Sequence, residues 1–318
     1  MTAYIIRRLI QSLFVFLFVS MTVFFAMRLL PGDPILVIMT PEEVGRVSDE
    51  QLDALRHEYG LDRPMMVQYI DWLFHVFHGD LGNSLIYNTS VTDEIKKRLP
   101  ITLYIGLLAM IFSGILGTIL GVVSAVKRGR WLDSLVTITA NLGITVPSFW
   151  LGILLVFIFS ISLKILPVQG YTSPFSDFMM STKQLIMPVF CLAVFPLATV
   201  ARQTRSSMLE VMGQDYIRTA WAKGLKERIV ISRHALKNAF IPVITMTGIV
   251  FRNVLGGAVI IETVFNIPGL GRLAVSGIIT HDYAFVQGVI LVMVTAVLLI
   301  NLTIDLTYGW LDPRVRYD

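Results

Sequence analysis

The chain has 318 residues, of which 55% are hydrophobic and only 15% charged, and its mean hydropathy is +0.71. So little polar surface cannot cover so much apolar material, which excludes an ordinary water-soluble domain. The net charge of +4 is unevenly spread, and the single cysteine, Cys191, rules out an internal disulfide framework and reads as a small buried hydrophobe.

Arg7 and Arg8 precede an apolar run to Leu30 that is longer than a signal-peptide core and ends without a small-residue cleavage site. It reads as an uncleaved first span. The segment 31–100 is acid-rich and carries two helix signatures. Ser48 with Gln51 three residues on is a capping box; Leu52, Leu55 and Tyr59 line one face, and Gly60 ends the helix. After Pro64, the spacing of Ile70, Leu73, Phe74 and Phe77 predicts a second amphipathic helix stopped by Gly79. The pair suits a small cap over an outer mouth or, equally, two helices lying on the surface. His75 and His78 stand at i and i+3, but with no further ligands nearby they read as packed or solvated rather than metal-binding.

Six stretches are long enough to cross a bilayer, which takes about 20 mostly apolar residues. They are Leu9–Leu30, Ile101–Val126, Ser134–Leu163, Gln184–Val200, Ala239–Ile261 and Ala284–Tyr308. The fourth is the weakest by length and holds Pro188 and Pro196. Pro147 and Pro242 favour kinks, while Gly114, Gly117, Gly121, Gly256 and Gly257 would permit close helix approach. The expected fold is an all-α polytopic membrane protein. Residues 1–30 form the N-terminus and first transmembrane helix, 31–100 an extracytoplasmic helical segment, and 101–318 the core transmembrane domain. Basic residues set the orientation: Arg7 and Arg8, then Lys127, Arg128 and Arg130, the central loop, and Arg314 and Arg316 all fall on one side. By the positive-inside bias that side, with both termini, is cytoplasmic.

The central loop, 202–238, is a basic island between apolar runs. Asp215 is placed to cap a helix of about two turns over Tyr216–Lys223, and Gly224 to close it in the left-handed conformation. A second helix starts after Gly224 and runs on past Pro242. The island is shaped to be gripped by a cytoplasmic partner, and a basic loop that orients the protein against lipid phosphates explains the charges equally well.

The run from Asp215 to Leu225, DYIRTAWAKGL, resembles the coupling loop (the EAA loop) of ABC-importer membrane subunits, in the branch that imports dipeptides, oligopeptides and nickel. The general pattern's Glu-Ala-Ala and Gly fall on Arg218, Thr219, Ala220 and Gly224, so the leading Glu is absent here. LPGDP at 30–34, HGDLGNS at 78–84, the stretch Glu262–Arg272 and DPRVRYD at the end extend the likeness over nearly the whole chain, most closely to the B-type subunit. The resemblance implies a type I ABC-importer fold with six transmembrane helices, in a bacterial inner membrane. It implies a second homologous permease subunit, two ATP-binding subunits and an extracytoplasmic solute-binding protein as partners, besides the lipid bilayer. Nucleic acid is not among them and no cofactor is expected. It puts Asp215, Tyr216, Ile217, Arg218, Ala220, Trp221, Lys223 and Gly224 at the contact with the ATPase.

No Gly-x-x-x-x-Gly-Lys-Ser/Thr phosphate cradle occurs, so the chain is expected to be a non-catalytic transport subunit driven by separate ATPases. Arg252, near the middle of the fifth predicted span and beside Asn253, is costly in lipid and is expected to face protein or water. It lines a substrate pathway with Asn253, or pairs with an acid of another span or subunit. The expected cargo is di- or oligopeptides; nickel chelates, glutathione or another small peptide-like solute are the alternatives. A secondary transporter would show coupling-ion carboxylates in its spans, and a membrane scaffold gives no reason for a capped helix in the inner loop.

Overall fold

The computed structural model describes residues 2–29, 48–58, 60–84 and 86–311. Among them the chain is helical, with an isolated β-bridge between Asn83 and Ser90. In chain order the helices are α1 (Thr2–Leu29), α2 (Asp49–Glu58), α3 (Met65–Phe77), α4 (Val91–Val126), α5 (Trp131–Thr145) and α6 (Ser148–Leu155), which runs on as a wider π-helical stretch, Val156–Ser162. Then come α7 (Phe178–Met212), α8 (Asp215–Ala222), α9 (Glu227–Ile229) with a second π-helical stretch Val230–Ala235, α10 (Leu236–Val264), α11 (Leu270–Ile279) and α12 (Tyr283–Leu311). The LPGDP motif and the DPRVRYD tail lie outside the described residues, as does Tyr59.

Among the described residues, four helices are long and apolar enough to cross a membrane: Ile5–Leu29, Val91–Val126, Phe178–Met212 and Tyr283–Ile304. Two bent pairs, Trp131–Thr145 with Ser148–Ser162 (105°) and Glu227–Phe240 with Pro242–Phe251 (49°), bring the number to six when each pair is one span. The third predicted span is therefore not one straight rod. Pro147 has no amide hydrogen and pushes the residue before it out of the helical region; Val146 is extended, with φ −74° and ψ 123°, and α6 starts afresh at Ser148. Pro242 sits within α10, beside the second bend.

The chain divides into two compact units. One holds Thr102–Ile267 with the chain from Leu299 onward. At its centre is α7, packed against α5, α6 and α10. The segment that looked weakest by length is here a helix of 35 residues, because its polar ends are helical too. The Asp177 side chain caps the start by accepting from the Met180 amide at 2.9 Å. Of the five glycines expected at close approaches, only two are truly tight. A Cβ on Gly117 would lie 2.8 Å from the Leu197 carbonyl, and one on Gly121 2.5 Å from the Ala201 carbonyl. Gly114 and Gly256 face open space, and Gly257 makes only ordinary contact. Glu262, which opens the stretch Glu262–Arg272, lies in the last turn of α10; it is buried and accepts the Thr102 hydroxyl at 2.6 Å.

The other unit holds Thr2–Ile101 and Pro268–Leu298. Its core joins Leu81, Val91 and Ile95 to Leu270, Leu273, Phe285 and Val289. Asp282 caps α12 by accepting the Phe285 amide at 3.2 Å, and it also accepts the Ser84 hydroxyl. The capping box is present in both directions, Ser48 amide to Gln51 Oε1 at 3.1 Å and Gln51 amide to Ser48 Oγ at 3.3 Å. Helix α3 turns a different side inward from the Ile70, Phe74 and Phe77 stripe, which is exposed. Its buried side is aromatic: Tyr69 and Trp72 pack on Phe24 of α1, and the Tyr69 hydroxyl meets Ser20 Oγ at 2.9 Å. His75 and His78 each bond a carbonyl one turn back, and no group of metal-binding side chains occurs among the described residues.

Candidate functional site

The central loop folds as a short helix standing on a hydrophobic base. Helix α8 begins at Asp215, and its N-cap is Gln214 (φ −76°, ψ 151°), which makes no side-chain capping bond. The expectation that Asp215 is the cap is therefore corrected by one position. The Gln214 carbonyl accepts the Ile217 amide at 3.1 Å, which makes Gln214 the half-helical residue and Asp215 the first helical one. A carboxylate in the first turn still favours the helix through the exposed amides there. Lys223 is the C-cap, and Gly224 follows with φ +74°, its amide donating to the Trp221 carbonyl at 2.9 Å. A Cβ there would meet nothing within 4 Å. Glycine is thus required by the backbone alone, since side-chain-bearing residues avoid that region.

Two of the eight residues assigned to the loop's contact face inward. Ile217 and Ala220, three apart and so on one helical face, are 1% and 5% exposed. They pack with Ala125 at the end of α4, Met208 near the end of α7, Val230, Ala235, and Ala239 of α10. They anchor α8 and offer a partner no surface. Asp215, Tyr216, Arg218, Trp221, Lys223 and Gly224 are exposed, Tyr216 at 43% and Trp221 at 42%. Arg218 lies 3.5 Å from Asp215, an exposed pair of small energetic weight. The Tyr216 hydroxyl accepts from Asn238 Nδ2 at 2.9 Å, so the outward aromatic is also tethered to α10. Half-exposed rings beside exposed cations on a fixed helix are the kind of anchor that protein interfaces favour.

The second assigned position is on α10. The Arg252 backbone is helical and its side chain lies outside the described residues. Asn253 is exposed and lines a cavity of about 210 Å³. Val146 and Ser148 contribute from either side of the Pro147 bend, Cys191 and Pro196 from α7, and Gly257 from α10. Its described lining carries no charge.

One arrangement was missed. The Asp133 carboxylate, 6% exposed at the start of α5, accepts Arg205 Nε at 2.7 Å and Nη2 at 3.0 Å. It also accepts Ser124 Oγ at 2.6 Å and the Gly129 amide at 3.0 Å. A lone acid following Lys127, Arg128 and Arg130 was the available signal. Its partner 72 residues away was not readable from the sequence.

A helix presented on the ends of three long helices beside a bent span invites comparison with known transporters. Residues 117–317 match the family described as Binding-protein-dependent transport system inner membrane component, and residues 1–106 match its N-terminal companion family. The chain belongs to this family of inner membrane transport components. A Brucella abortus (strain 2308) protein provisionally named a peptide transport system permease protein is 44% identical over 319 residues, covering 100% of both chains. The dipeptide transport system permease protein DppB of Escherichia coli (strain K12) is 38% identical over 340 residues, covering 100% of this chain and 99% of its own. Among solved structures, a chain of the MetNI methionine ABC transporter in an inward-facing crystal form aligns with a TM-score of 0.57 at 18% identity. That alignment covers 69% of this chain and 96% of the other, and it establishes the type I importer fold. As an inner membrane transport component, the chain is a multi-pass permease.

Proposed function

We propose that the chain is one of two permease subunits of an importer for di- or oligopeptides, driven by two separate ATP-binding subunits and fed by an extracytoplasmic solute-binding protein. The observation that carries this reading is the geometry of α8: Ile217 and Ala220 fix it, while Tyr216, Arg218, Trp221 and Lys223 stand outward as a docking face. ATP-driven closure of the ATPases would push this face, and the helices beneath it would exchange an inward-open cavity for an outward-open one, as in alternating access. The run of basic residues at Arg7 and Arg8, Lys127 to Arg130 and the α8 region supports placing that face and both termini in the cytoplasm.

The cavity at the Pro147 bend, with Asn253 and Ser148 as its polar groups, is the proposed solute passage. The described lining is neutral, which suits cargo whose side chains vary, with selection left to the binding protein. Peptide relatives support the peptide class over nickel chelates or glutathione. The test is co-purification from a bacterial inner membrane. An ATPase pair and a second permease come with this chain, and in proteoliposomes the complex takes up a labelled dipeptide only with ATP and a peptide-loaded binding protein. Uptake driven by an ion gradient without ATPases would contradict the proposal.

A further inference from the structure

Helices α4, α5 and α7 are joined more tightly than packing alone requires. At mid-height the joints are apolar and close: Gly117 and Gly121 of α4 meet α7 backbone, and a Cβ on Gly143 of α5 would lie 3.1 Å from Val194 and 3.3 Å from Ala198 of α7. At the end nearest α8 the joint is the Asp133–Arg205 pair. Both carboxylate oxygens are engaged, by the guanidinium fork from α7, by Ser124 of α4 and by the Gly129 amide of the α4–α5 turn. One carboxylate thus ties all three helices together. Asp133 is buried and the Arg205 side chain 33% exposed, and a pair so placed is a poor source of stability, because desolvation and solvent screening offset its attraction. What two parallel bonds do supply is fixed distance and rotation, which sliding apolar contacts do not.

The position of the pair gives that stiffness a use. Arg205 is three residues before Met208, which lies in the cluster under α8. In the other direction along α7, Cys191 and Pro196 line the cavity, and α5 leads from Asp133 to its C-cap Val146 at the cavity's bend. From Asp133 to Val146 is roughly 20 Å at the rise of a helix. Both helices that carry the ion pair reach the cavity, whose lining α6 and α10 complete.

We infer that Asp133 and Arg205 are positioning residues that lock α4, α5 and α7 into one lever, so that displacement of α8 reaches the cavity instead of being absorbed between helices. The inference rests on the reading of α8 as the ATPase contact and of the cavity as the passage. Sub-ångström shifts become useful only when the block between the two sites moves as one piece.

The test uses the whole complex in proteoliposomes with Cys191→Ala and Asn253→Cys in the parent chain, because Asn253 is exposed and lines the cavity whereas Cys191 is buried. The readouts are ATP hydrolysis and the rate at which a maleimide labels the thiol at position 253, each with and without ATP and vanadate. Neither readout needs the cargo to be known. In the parent, vanadate trapping changes the labelling rate. Arg205→Lys keeps the charge and loses the fork. In this variant the complex assembles, hydrolyses ATP within about twofold of the parent, and loses about tenfold of the trapping-induced change, an ordinary size for coupling between two sites. Asp133→Asn gives the same split, and the double variant Asp133→Asn with Arg205→Gln is no worse than either single one, as expected for two groups acting as a unit. A full labelling response in Arg205→Lys overturns the inference, and so does a fall in hydrolysis and labelling that merely follows the amount of assembled complex. An unresponsive thiol at position 253 in the parent overturns lever and passage together. A Trp221→Ala complex with normal ATPase association and hydrolysis marks failure of the α8 reading separately.

Discussion

Adding one methyl group at Gly121 is expected to separate two helices that a methyl group at Gly114, two turns away on the same helix, leaves untouched. In Gly121→Ala the new Cβ would stand 2.5 Å from the Ala201 carbonyl oxygen and 2.5 Å from Thr204 Cβ. Neither atom is the end of a flexible side chain, so relief requires α4 and α7 to part by most of an ångström. Overpacking of that kind costs about 1–3 kcal/mol. The better helix propensity of alanine offsets roughly 0.5–1 kcal/mol of this, which leaves a net destabilisation of up to about 2.5 kcal/mol. Gly114 has nothing within 4 Å, so Gly114→Ala receives only the gain. The assay is the thermal unfolding midpoint of the purified complex in detergent, read side by side for the two variants. Opposite shifts are expected, down for Gly121→Ala and up or unchanged for Gly114→Ala. Shifts of equal sign and size would show that α4 does not approach α7 through Gly121.

Other substitutions separate anchoring from docking on α8. Ile217→Ala removes a side chain that is 1% exposed and should cost about 2–4 kcal/mol of stability, lowering the yield of folded permease. Trp221→Ala, at a half-exposed position, should leave yield and unfolding midpoint near wild type and reduce retention of the ATPase on affinity purification. Gly224→Ala should cost about 1–2 kcal/mol through its φ of +74°, although no atom blocks the methyl group; limited proteolysis of the loop reads the loosening. Tyr216→Phe removes the acceptor of the 2.9 Å bond from Asn238 and should cost at most about 0.5–1.5 kcal/mol of stability, read as a small fall in the unfolding midpoint. Asn253→Trp should block the cavity, lowering dipeptide uptake while ATP hydrolysis continues.

Local signals were legible because their physics is local. The Ser48–Gln51 box and the left-handed Gly224 depend on residues within one turn, and both stand where the sequence puts them. Apolar runs located the helices, but not their lengths. The polar ends of α7 carry no hydropathy signal, and the prolines inside it did not break it. Pro147 marked a break but not its size, 105°, which was settled by how α5 and α6 each pack on α7, with α6 also packing on α10. The inward sides of α3 and α8 were undecided in the sequence, because an apolar residue next to a membrane can face lipid, protein or a partner with similar ease. Ile217 and Ala220 turned inward because the ends of α4, α7 and α10 offered them a cluster to complete. The Asp133–Arg205 pair is the clearest case of tertiary information, since each residue alone looks like a charge at the edge of a membrane.

The central claim is that α8 receives force from an ATPase on the cytoplasmic side. Arg218 is exposed and contributes nothing to the hydrophobic base, so a cysteine there, in a Cys191→Ala background, probes that face with little disturbance. In intact cells Arg218→Cys should resist a membrane-impermeant maleimide, and in inverted membrane vesicles it should cross-link to the ATP-binding subunit with a yield that changes on adding ATP. Ready labelling from outside intact cells, or a cross-link to no ATPase in either nucleotide state, would contradict the account.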